Sequence, residues 1–367
     1  MLKKTGGLIF LVLLAYLLLW PVPIDPVAWE APENAGYVGV FNQNSRLGNL
    51  KTLPIGDHHG PEDVAGKFED GRMIIYTSTQ SGDIIRIDPE TNEHSVFANT
   101  GGVPLGLDFD AVGNLIVADA HKGLLSLNAA GKITVLTDTA EDGSRLIYTD
   151  ELAIAADGKI YFSDASTKFG AKAIGSTLGA SLLELMEHGR TGRVLVYDPE
   201  DGRTRTIARD MSFPNGIAMC PEDACLLIAE TGTYSIKKLW LTGEKAGQME
   251  TIIDNLPGFP DNINSGQEGR YWVGLTSPRS AALDDLSNKP FLRKLVQRLP
   301  ASFRPKAVNY GFVFAMDVDG TILAQYQDPD GAYPLTTGAT EPGDGWLYIG
   351  SLGANELGVK DIRNEKF

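Results

Sequence analysis

Asp261 and Asn262 stand side by side in the stretch LPGFPDNINSGQEGRYWVGL (256–275), just ahead of a turn and an apolar strand at 271–275. Three upstream stretches repeat this plan, with Glu62-Asp63, Asp150-Glu151 and Asn215-Gly216 in the place of that pair. If the copies close into a ring, Glu62, Asp150, Asn215 and Asp261 meet at one axis. Three carboxylates and an amide gathered with no Lys or Arg among them repel one another unless a cation joins them. A hard divalent ion takes oxygen ligands of this kind, and the flexible mixture of carboxylate and amide suits Ca2+ better than Zn2+. Taken singly, each residue is equally a local turn cap. Four in register favour a metal site.

The elements that must position these side chains repeat as well. The turn residues Gly71, Gly113, Gly158, Ala224, Gly269 and Gly345 each precede an apolar strand: MIIYT, LIVAD, IYFSD, LLIAE, YWVGL and LYIGS. Their spacings are 42, 45, 66, 45 and 76 residues. Three of the five suit four strands per propeller blade, and the two long ones require insertions. The chain is therefore expected to be all-β: a six-bladed β-propeller over 36–367, with innermost strands starting near Glu62, Leu105, Asp150, Asn215, Asp261 and Thr336. One insertion carries SLLELMEHG, with Leu182, Leu183, Leu185 and Met186 mostly on one helical face. The other carries PFLRKLVQRLP, where Phe291, Leu292, Leu295, Val296 and Leu299 oppose Arg293, Lys294 and Arg298. That basic amphipathic helix reads as a lid packed on the propeller or as a membrane-surface contact.

A formal charge of −15 argues against nucleic acid as a partner, since phosphate binding needs a basic surface. The N-terminus departs from the soluble pattern. Lys3 and Lys4 precede thirteen unbroken apolar residues (8–20), and the uncharged run 6–24 is 19 residues, about the length of a membrane-crossing helix. A cleaved signal peptide is the other reading. The flank WPVPIDPVAW lacks a small-x-small cleavage site and favours an uncleaved signal anchor over 1–24, with 25–35 as linker. The lysines keep that end cytoplasmic and put the propeller on the non-cytoplasmic side. Cys220 and Cys225 bracket one tight turn, where they are either a disulfide or two buried thiols.

GPEDVA, PLGLDF, VADAHKGLLSL, YFSDAST, TGRVLVYDP, FPNGIA, AETGTYSIKKLWL, LPGFPDNI and YWVGL occur in an order that resembles the strictosidine synthase-like family, nearest its membrane-anchored branch. The wider superfamily of paraoxonases and gluconolactonase/SMP-30 proteins implies a six-bladed propeller with Ca2+ in its tunnel and hydrolysis of lactones, aryl esters or organophosphates. By that resemblance Glu62, Asn215, Asp261 and Asn262 match calcium ligands. Asp150 stands where the family usually has Asn, and Glu151 where it has Asp. The synthases' catalytic glutamate has no counterpart: in AYPLTTGATEPGDG, Glu341 lies too near the turn. Amine–aldehyde condensation is therefore not expected.

The expected activity is Ca2+-dependent hydrolysis of a small ester or lactone, with Asp261 as ligand and general base or nucleophile. His121, near the position of a paraoxonase catalytic histidine, is the second catalytic candidate. His58 and His59 are further candidates at the channel mouth. The rival expectation is a membrane-anchored binding propeller without turnover, because fold alone does not establish chemistry. A substrate-sized apolar pocket around the metal would separate the two.

Overall fold

The computed structural model describes residues 2–367 and, within the first helix, the side chains of 5–8 and 11–19. Among the described residues, twenty-four strands form six four-stranded antiparallel sheets arranged as blades. The innermost strands are Val64–Glu69, Pro104–Phe109, Thr149–Ile154, Pro214–Met219, Gly258–Ser265 and Thr336–Thr340. Each expected turn leads from an innermost strand into a second strand. At five of the six turns a glycine holds φ between +77° and +90°, which an L side chain adopts only with strain. At the sixth, Ala224 keeps a right-handed conformation while Glu222 and Asp223 take the positive φ values. The Cys220–Cys225 disulfide closes that same hairpin, with Cα atoms 5.1 Å apart.

Ring closure was not legible in the repeat. The early strand Lys51–Pro54 pairs with Glu356–Asp361 and becomes the outermost strand of the last blade. Between blades the faces interlock through apolar side chains. Ile74 and Tyr76 share a cluster with Leu115 and Val117, and the fully buried Trp272 packs with Val313, Leu347 and Ile349.

Helix α1 covers Leu2–Leu19. The two long spacings hold helices α2 (Ala171–Ile174), α3 (Thr177–Glu187), α4 (Ala281–Asp285) and α5 (Pro290–Gln297). Two expectations change here. The uncharged run 6–24 is not helical throughout: α1 stops at Leu19, ahead of Pro21 and Pro23, which cannot continue its hydrogen bonding. Eighteen residues rise about 27 Å, short of the ~30 Å of a hydrocarbon core. Among the described residues no helix is long and apolar enough to cross a membrane. The Lys3 and Lys4 side chains, on which the expected orientation rests, lie outside the described residues.

The second change concerns α5, whose basic face points inward. Arg293 is fully buried and donates to the carbonyls of Val27, Met186, Glu187 and Ser287. Arg298, also buried, donates to the Leu17 and Trp20 carbonyls at the end of α1. Phe291 and Leu292 face outward instead, 55% and 39% exposed. The carbonyls left unpaired at helix C-termini explain the inversion, because they need donors and guanidinium groups supply several at once. The stretch 25–35 is likewise held along its course. Val27 N–H donates to the Glu187 carbonyl, Trp29 stacks on His188 at 4.1 Å, and Arg279 donates to the Pro32 carbonyl.

Candidate active site

Four blades deliver the polar dipeptides to the propeller axis. Glu62 and Asp63 precede their innermost strand and are fixed by backbone bonds, Glu62 N–H to the Ser78 carbonyl and Ser78 N–H to the Asp63 carbonyl. Asp150, Asn215 and Asp261 lie within the first residues of theirs. Gly216 permits the close approach of the fourth blade to the fifth: a Cβ there would meet Ile263 N at 2.3 Å and Asp261 O at 2.4 Å. Across that contact the Asn215 amide donates to Asp261 Oδ1, while Asn262 Nδ2 of the fifth blade donates to Glu62 Oε1 of the first at 3.1 Å.

All five expected ligands are therefore brought together and buried, none more than 7% exposed. Glu62 Oε2, Asn215 Oδ1 and Asn262 Oδ1 make no hydrogen bond. Each Asn spends its amide N–H on a neighbour and leaves its oxygen unpaired. Burial pushes the Glu62 carboxyl well up, and the repulsion of Asp261 and Asp63 adds to it. Asp150 is raised by burial and by Glu62, and Asp261 by burial and by Asp150. Unpaired buried oxygens on one carboxyl and two amides, beside carboxyls that resist ionising together, fit a hard cation such as Ca2+. Among the described residues no three His, Cys, Asp or Glu side chains form a group that could hold a metal ion, Glu62, Asp150 and Asp261 included, so a cation here would also need the Asn oxygens.

The second members of two dipeptides make separate contacts. Asp63 accepts from Asn264 Nδ2 and Leu107 N–H, both at 2.8 Å, and burial raises its carboxyl to about 6. Glu151 accepts from Leu152 N–H and is raised by burial, then by Asp63 and Glu62. Neither lines the cavity above.

That cavity holds about 550 Å³. Glu62, Asp150, Asn215 and Asp261 form its polar end, and its walls are mainly apolar, including Leu105, Tyr148, Phe213, Phe259 and the α3 face Leu182, Leu183, Leu185 and Met186. The walls were only partly visible in the sequence. Phe213-Pro214-Asn215 and Phe259-Pro260-Asp261 repeat a Phe two residues ahead of a ligand position, which is the sequence signal for these two walls. Tyr148 carried none. Its hydroxyl donates to the Thr177 carbonyl at 2.8 Å, and burial followed by Asp150 and Asp261 keeps it protonated.

The histidines lie elsewhere. His121 is half-buried beyond Asp119, with Nε2 unpaired and its pKa lowered by burial, and is not among the cavity-lining residues. His58 bonds Ser81, His59 is exposed, and neither lines the cavity. Glu341 is buried and bound to Arg270, Trp272 Nε1 and Gln267 N–H, which makes it a structural anchor of the last blade.

The sequence profile of the Strictosidine synthase family matches residues 150–244, and that of Strictosidine synthase-like, N-terminal matches 39–87. The adipocyte plasma membrane-associated protein of Salmo salar is 32% identical over 98% of this chain and 89% of its own. The chain belongs to the strictosidine synthase-like family. Among solved structures, a gluconolactonase of Xanthomonas campestris superposes with TM-score 0.61 at 16% identity, covering 91% of this chain and 97% of that one. Regucalcin of Agrobacterium tumefaciens, described as a calcium-binding protein, gives 0.55 at 14% identity, covering 82% and 85%. At such identities the likeness is one of fold: this family member shares the gluconolactonase-like propeller.

Proposed function

We propose that the protein is a Ca2+-dependent hydrolase of esters or lactones. The observation that carries this reading is the cavity of about 550 Å³, whose apolar walls end on Glu62, Asp150, Asn215 and Asp261. Its volume is that of a small-molecule site. The gluconolactonase and calcium-binding fold neighbours support the reading. Held by Glu62, Asp150, Asn215, Asp261 and Asn262, Ca2+ would polarise the substrate oxygen and offset the charge that develops on it.

The chain's own residues supply the rest. Leu105, Phe213 and Phe259 exclude water from the acyl portion and turn the scissile group toward the polar end. Asp261 accepts a proton from water as the water oxygen bonds to the carbonyl carbon. The carbon–oxygen bond of the ester or lactone then breaks, and its oxygen leaves with the proton that Asp261 held. Burial and Asp150 push the Asp261 carboxyl up, and a bound cation would hold it as the carboxylate that accepts the proton. His121, which has one ring nitrogen unpaired but does not line the cavity, is the second candidate base, and a His121→Ala variant separates the two assignments.

The protein is further proposed to associate with a membrane through α1, with the propeller on the non-cytoplasmic side. The relatives' name and the Cys220–Cys225 disulfide, which persists in oxidising compartments, support this. A binding propeller without turnover remains the rival, because the relatives are named for membrane association rather than for an enzyme activity. A panel of aryl esters and lactones assayed with Ca2+ and with EGTA decides. Turnover abolished by EGTA and restored by Ca2+ is expected, and no turnover of any member leaves the binding reading.

A further inference from the structure

The inverted α5 leaves an apolar surface facing outward with nothing from the propeller upon it. Phe291, Leu292, Phe303 and Val308 are 55%, 39%, 73% and 55% exposed. This surface adjoins the cavity. Gln297, Ala301, Arg304, Pro305, Lys306 and Ala307 line it, so the exposed Phe303 sits between two lining residues. Leu178 at the start of α3 also lines the cavity and is 41% exposed.

Helix α1 joins the same face. Arg298 donates to the Leu17 and Trp20 carbonyls, and Tyr16 Oη donates back to the Arg298 carbonyl at 2.9 Å. The end of α1 is thus tied to the end of α5, where the chain turns into the cavity mouth. Leu8, Leu11, Val12, Leu13 and Leu19 of α1 are each more than half exposed. A helix whose described apolar side chains stand this exposed belongs in lipid.

We propose that the face carrying α1, Phe291, Leu292 and Phe303 lies against a lipid bilayer, so that the cavity opens into the membrane surface. Resting on the hydrolase reading, this makes the substrates membrane-partitioned esters or lactones with long apolar chains. Such a substrate reaches the Leu178 and Phe303 side of the mouth without crossing water, and its apolar chain fills the α3 wall while its carbonyl meets Asp261. The basic residues Arg293 and Arg298 are consumed internally, which leaves Lys306 as the exposed cation beside Phe303 and makes apolar contact, rather than charge, the main attachment. That separates this docking from the headgroup-binding basic face that the sequence of α5 suggests.

The full-length disulfide-bonded chain tests it with phosphatidylcholine vesicles. A Phe303→Cys variant carrying an environment-sensitive fluorophore should shift to the blue and be quenched by spin-labelled lipid. The same label at Val112→Cys, on the turn beyond the innermost strand Pro104–Phe109 and 84% exposed, should stay in water. Binding should persist in high salt. A Phe291→Glu/Phe303→Glu variant should keep wild-type turnover of a soluble short-chain ester and lose about tenfold or more on a long-chain ester dispersed in vesicles. A label at 303 that stays wet overturns the proposal. So does protection that appears without vesicles as protein concentration rises, which would mark a second copy as the occupant. Lipid quenching at 303 with no turnover of either ester upholds the docking and removes the hydrolase reading instead.

Discussion

Asp261 and Glu62 are both buried carboxylates facing the same oxygens, yet the proposed chemistry gives them different work. In Asp261→Asn the amide still offers an oxygen to Ca2+ but accepts no proton from water. Turnover should fall ~10²–10⁴-fold with Ca2+ affinity largely kept. Glu62→Gln should weaken Ca2+ binding and recover activity as Ca2+ is raised. Steady-state kinetics across a Ca2+ titration checks the contrast, and equal losses rescued equally by Ca2+ would make Asp261 a ligand only. At this scale the sequence was informative because each polar dipeptide occupies the same place relative to a turn glycine, and a repeating unit returns equivalent positions to one axis. It could not show that Asn215 and Asn262 spend their amide N–H groups on Asp261 and Glu62, because that pairing spans blades.

Among the elements, α5 depends on its buried guanidinium. Arg293→Ala strips a charged donor from four carbonyls in one step, at a cost on the order of 3 kcal/mol. The loss should appear locally. Hydrogen exchange should accelerate over α3, α5 and residues 25–30 while the blade strands stay protected; uniform acceleration would mean that the lid and the propeller unfold as one unit. The disulfide is expected to matter less. Its cysteines are five positions apart in sequence, a short loop that limits its entropic contribution to about 2 kcal/mol. Thermal melts with and without reductant should show a modest drop and the same fold. Both helical insertions were legible from spacing and apolar periodicity, but the orientation of α5 was not. Amphipathicity marks two faces, and only the position of the carbonyls awaiting donors decides which face turns inward.

For the whole molecule, the axial carboxyls link stability to pH and to Ca2+. Glu62, Asp150, Glu151 and Asp261 are held well above the ordinary carboxyl range and Asp63 at about 6, in each case chiefly by burial. A carboxyl whose pKa is higher in the folded than in the unfolded chain binds more protons when folded. Its stabilising contribution is therefore full below about pH 4 and is lost as pH rises through the folded value. In chelator, this contribution should lower the melting temperature as pH climbs from about 5 to about 7.5, and the increment restored by Ca2+ should widen over the same range. Melting curves that coincide with and without Ca2+ at every pH would count against a cation at the axis. The sequence by itself determined the six-fold repeat, the innermost strands and the oxygen-rich axis. These follow from local alternation and turn chemistry, which recur with each blade. Only the tertiary structure decided how Lys51–Pro54 closes the ring, that α5 turns its arginines inward, and that an apolar cavity stands over the axial carboxylates. Each of those depends on contacts between distant segments, where backbone groups and side chains find partners that no local pattern specifies.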